Sequence, residues 1–119
     1  MTTGAEKRQH HRFLARLEVR VVSGERLPAG LVVSTSDVGV GGLRCASSHR
    51  LDVPVLLHMT LTLVGGDLNE PVTLNVDAQV LRCVERPQPH HGLPYDVAMQ
   101  FVRLDPRDRR RLQSYLNSL

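Results

Sequence analysis

Apolar residues recur at every second position through most of this chain, and that period of two decides what it can become. Between 72 and 80, Val72, Leu74, Val76, Ala78 and Val80 fall on one side, with Thr73, Asn75, Asp77 and Gln79 on the other. A helix would scatter such a set around its axis, whereas a strand gathers it onto one face. The pattern repeats with Leu17, Val19 and Val21 against Glu18 and Arg20, with Met59, Leu61 and Leu63 against Thr60 and Thr62, and with Val97, Met99 and Phe101. Turn chemistry separates the runs. Ser23–Gly24 follows the first, Pro28 and Gly30 interrupt a second that ends near Ser36, and Gly65–Gly66–Asp67 breaks the chain tightly. The Pro/His-rich stretch 86–94 reads as a loop. Strand after strand with no intervening helix predicts an all-β fold, an antiparallel sheet of five or six strands. Closing it as a small barrel removes the exposed edges.

The period changes only at the end. In "DPRDRRRLQSYLNSL", Asp105 stands at an N-cap, Pro106 at the first helical position and Asp108 in the first turn. Leu112, Tyr115, Leu116 and Leu119 then recur at helical spacing, so a helix over about 106–119 lays that stripe on the sheet. Arg107, Arg109, Arg110 and Arg111 form its wet side.

The 119 residues suit one domain with a single core, and an aromatic share of 3% makes that core aliphatic. Net charge is only +3, weak for a partner such as a nucleic-acid polymer, and the few aromatics leave little for base stacking. Fourteen of the fifteen basic residues are Arg, whose planar fork matches phosphates and guanine edges as Lys cannot. No carboxylate pair, nucleophile with base or phosphate loop points to an enzyme. Adjacent pairs His10–His11 and His90–His91 are poor metal ligands, so neither metal nor cofactor is expected. Cys45 and Cys83 lie apart inside apolar runs and read as buried free thiols. No apolar stretch suits a signal core or a membrane span, which predicts a cytoplasmic protein without membrane insertion.

Two places break the strand pattern without a packing reason. In "EKRQHHRF", Arg8 and Arg12 stand four apart on a segment with little to bury. In "SDVGVGGLR", Gly39, Gly41 and Gly42 crowd into a strand pattern, where glycine forgoes side-chain packing and marks a bend, a bulge or a close approach of backbone to a ligand. Arg-x-x-x-Arg before the first strand, then Asp37, Gly39 and Gly42 at the end of the second, resembles the signature of PilZ domains, bacterial receptors for cyclic di-GMP. The likeness runs from Lys7 almost to the end of the chain and includes the final strand and helix.

That resemblance implies a six-stranded antiparallel PilZ-type β-barrel over 13–119, with residues 1–12 a flexible segment carrying the two arginines. It implies a cyclic di-GMP site made by Arg8, Arg12, Asp37, Gly39, Gly41 and Gly42. Arg8 and Arg12 would fork onto a phosphate or onto guanine O6 and N7. Asp37 would accept from guanine N1–H and N2–H₂, and Gly42 would keep the wall low under the base. The family pattern places Ser where this chain has Gly39. A domain of this kind is expected to signal when ligand orders its N-terminal segment and the new surface recruits or releases an effector protein, as a monomer or weak homodimer. The alternative is a PilZ-like interaction adaptor that ignores nucleotide, with Gly39 for it and the arginines against.

Overall fold

The computed structural model describes residues 17–119. Six strands and one helix follow in chain order: β1 (Glu18–Gly24), β2 (Val33–Val38), β3 (Gly42–Ser47), β4 (Val55–Leu63), β5 (Val72–His90), β6 (Leu93–Arg103) and α1 (Pro106–Asn117). All pairings are antiparallel, in the order β1-β4-β5-β6-β3-β2. The sheet curls into a half-barrel. Its end strands β1 and β2 face each other across a cleft lined by both, so closure is partial and no ladder joins them among the described residues.

The alternation places the core as expected. Leu57, Met59 and Leu61 of β4, Leu74 and Val80 of β5, and Val97 and Met99 of β6 all turn inward, and Leu112, Tyr115 and Leu116 of α1 join the same cluster. Asp105 caps the helix by accepting from the Arg107 N–H at 2.8 Å. Leu119 departs from the expected stripe: the helix ends at Asn117, and Leu119 lies beyond it, 53% exposed.

Three further expectations are corrected. The second strand begins only at Val33, because Arg26 and Gly30 take left-handed conformations that no strand accommodates. The stretch 86–94 is not a loop but the tip of the long β5–β6 ribbon, closed by His91 and Gly92 with φ of 52° and 76°, the pair of positive values a tight hairpin turn needs. Pro87 and Pro89 fit there because this tip extends past the neighbouring strands and no ladder needs their missing N–H groups. Of the two thiols, Cys45 is buried but Cys83 only half so, beyond the irregularity between Val80 and Arg82.

Candidate functional site on the β2–β3 hairpin

The hairpin of β2 and β3 is built around its glycines. Val38 and Leu43 pair as its last inward-facing residues, and the Gly39 N–H donates to the Gly42 carbonyl at 2.9 Å, closing the turn. The Gly41 carbonyl accepts from the Phe101 N–H at 2.9 Å, which ties the turn to β6. Gly42 is buried against β6, and a Cβ there would run into the Met99 carbonyl oxygen. Its missing side chain therefore serves the approach of two backbones. Gly41 is exposed, with open space where a Cβ would stand. None of the three is among the glycines with positive φ, which are Gly30, Gly65, Gly66 and Gly92.

Just before the turn the register slips between Thr35 and Asp37, leaving Ser36 as an extra residue. The slip sets Asp37 opposite Arg44, on the outer face of the curled sheet, away from the inward Val38 and Leu43. Arg44 donates to Asp96 of β6 at 2.9 Å, and Arg86 stands 3.8 Å from the same carboxylate. The Arg44 guanidinium is held above its ordinary pKa by the hydrogen bond and attraction of Asp96, which exceed the opposing effect of burial, with Asp37 adding the smallest share. Asp37, Arg44, Asp96 and Arg86 thus make an alternating line of charge over β2, β3, β6 and β5.

The hairpin also holds polar atoms buried with no hydrogen-bond partner among the described residues: Thr35 Oγ1, Ser36 Oγ and Arg44 Nε. Leaving such groups unpaired costs about 1–3 kcal/mol each, and they flank the slip, Thr35 opposite the inward Cys45 and Arg44 opposite Asp37. Helix α1 touches the same turn, as Arg109 donates to the Val40 carbonyl at 3.3 Å.

Of the expected site, Asp37, Gly39, Gly41 and Gly42 come together on this one hairpin, whereas Arg8 and Arg12 lie outside the described residues. Arg44 was not anticipated. The signal was present, since it is the first charged residue after the glycines, but only the slipped register makes it the partner of Asp37. Among the described residues no cluster of His, Cys, Asp and Glu is fit for a metal. Burial pushes the Cys45 thiol up to about 12, which keeps it protonated and unreactive at neutral pH.

A family description, PilZ domain, matches residues 6–118, almost the full length. The chain belongs to the PilZ family. Solved structures share its fold. The Bacillus subtilis inhibitor of motility MotI/DgrA superposes with a TM-score of 0.72 at 16% identity over 93% of this chain, which spans 50% of that protein. The PilZ domain of Escherichia coli YcgR with c-di-GMP superposes with a TM-score of 0.63 at 16% identity, over 95% of this chain and 91% of that one. A search of curated proteins finds no match. The PilZ fold here puts its glycine turn, Asp37 and Arg44 at one end of an otherwise well-packed sheet. No helix among the described residues is long and apolar enough to cross a membrane.

Proposed function

We propose that this PilZ domain is a cyclic di-GMP receptor of the cytoplasm that binds the nucleotide on the outer face of the β2–β3 hairpin and passes the signal to an effector protein without catalysis. The observation that carries this reading is the hairpin: a carboxylate, Asp37, stands beside a glycine turn and opposite Arg44 in a PilZ domain. Asp37 supplies the acceptor for the guanine N1–H and N2–H₂ edge. Arg8 and Arg12 supply cations for the phosphates and the Hoogsteen edge, and their engagement orders the segment before β1, at a cost in chain entropy that the new contacts must exceed. The YcgR structure, whose PilZ domain holds c-di-GMP, supports the ligand class.

A second reading, an adaptor that binds a partner without nucleotide, is favoured by one feature, Gly39 in the place of the family's Ser. Titration calorimetry separates the two. The receptor binds cyclic di-GMP, and Arg8→Ala or Arg12→Ala weakens binding by at least ~1.5 kcal/mol with an unchanged Tm. An adaptor gives no heat of binding. If both variants bind like the parent, the arginines have no part in the site.

A further inference from the structure

We infer that the groove between α1 and the β4–β5 connection is the docking surface for an effector protein, and that it takes an amphipathic helix whose apolar face is flanked on one side by acidic residues. This rests on the receptor reading above for there being an effector, and on the groove alone for how that partner is held.

One bank of the groove is the end of the β4–β5 ladder with its connection, and the other is the second half of the helix. Leu63 and Val72 pair at that end, and with Leu68 and the Tyr115 ring they floor a groove of about 390 Å³. The banks are tied together. The Tyr115 hydroxyl donates to the Val64 carbonyl at 2.9 Å, and the Asp67 N–H donates to Ser118 Oγ at 3.2 Å. A groove built in advance leaves little of itself to be ordered when a partner docks.

Shape and charge select the occupant. An extended peptide has no strand edge to join at the groove, because β4 and β5 are each paired on both sides. Along α1, Arg111, Ser114 and Ser118 border the groove at helical spacing. They span about 10 Å, a length that suits apolar side chains one turn apart on a second helix. Arg107 and Arg110 are exposed beside that row. Among the described residues neither has an ion pair, and Arg111 has one, to Asp108 at 3.8 Å. Arg109 alone of the four turns away, to the Val40 carbonyl. The opposite bank bears Asp67, with Glu70 further along the same exposed connection. A nucleic acid or an anionic lipid surface would bring negative charge to both banks and meet those carboxylates. A helix carries its acids on one flank, against the arginines, and leaves the other flank neutral or basic.

The test pans a displayed library of helical peptides of about 16 residues on the full chain, then measures synthetic copies of the enriched peptides by fluorescence anisotropy. The enriched set should share apolar residues one turn apart with Asp or Glu along one flank. Ser114→Trp, which fills the groove mouth from an exposed position, should weaken their binding about tenfold or more at an unchanged Tm. Arg110→Glu should weaken it about fivefold or more, while Arg20→Glu, the same charge change on β1, binds within about twofold of the parent. If no peptide is enriched, or the enriched ones bind Ser114→Trp and Arg110→Glu like the parent, the groove is not the docking surface. Phosphatidylglycerol vesicles or duplex DNA that bind the parent and are lost in Arg110→Glu would assign the helix to a polyanion, and a parent dimer that Ser114→Trp splits in sedimentation would assign the groove to a second copy. Either result overturns the inference. Calorimetry with cyclic di-GMP keeps the two readings apart. Nucleotide binding without peptide binding removes the groove and leaves the receptor, and peptide binding without nucleotide binding does the reverse.

Discussion

At the scale of single residues, the three glycines of the β2–β3 turn are not equivalent. Gly42 answers to packing, because a Cβ would meet the Met99 carbonyl, part of a backbone that cannot swing aside. Gly42→Ala should therefore destabilise the fold by about 1–3 kcal/mol, as overpacking does, and Gly41→Ala, which points into open space, by less than about 0.5 kcal/mol. Denaturant unfolding of the two side by side checks this, and equal effects would remove the packing account of Gly42. Gly39 is buried and does not take a left-handed φ. With no left-handed backbone to strain, Gly39→Ser restores the hydroxyl of the family pattern and should tighten cyclic di-GMP binding by about tenfold or less, the contribution of one modest hydrogen bond. Weaker binding by this variant in calorimetry at one salt concentration would show that the missing hydroxyl is not what Gly39 is about.

At the scale of elements, strands declared themselves where one face is buried and the other wet. Leu74, Val76, Ala78 and Val80 could be placed from their alternation alone, because a strand half in water must alternate. The ribbon tip was illegible for the opposite reason. Past the sheet it has no buried face to impose a period, and Pro87 and Pro89 argue for a loop unless the strand is known to lack neighbours there. The slip at Ser36 was equally hidden, since a bulge depends on how two strands meet and not on either one. Hence Asp37 could be singled out from the sequence, and its place opposite Arg44 could not. The helix was readable down to its cap, because an N-cap is a local contract between one side chain and the N–H groups just after it. Asp105→Ala should cost about 1 kcal/mol of stability, seen as a lower Tm with little change at the hairpin. A neutral result would mean that water satisfies the Arg107 N–H as well as the carboxylate does.

For the molecule as a whole, the aliphatic core and the line of charge occupy opposite faces of one curled sheet. The inner face is aliphatic and covered by α1, while the outer face carries the line of charge that starts at Asp37. Helix α1 belongs to both through Arg109, which holds the Val40 carbonyl of the glycine turn, so a ligand that shifts the turn has a contact through which to be felt at the helix. The central claim is that Asp37 makes this face a reader of guanine, and base identity tests it most directly. Calorimetric titration with cyclic di-GMP and with cyclic di-AMP, under one buffer and salt, presents the same dianionic ring with and without the N1–H and N2–H₂ donors that Asp37 accepts. Binding of cyclic di-GMP at least tenfold tighter than cyclic di-AMP, with the preference lost in Asp37→Ala, is the predicted result, because an unmatched polar edge costs about 1–3 kcal/mol. Equal binding of the two nucleotides, or binding of neither, would contradict it.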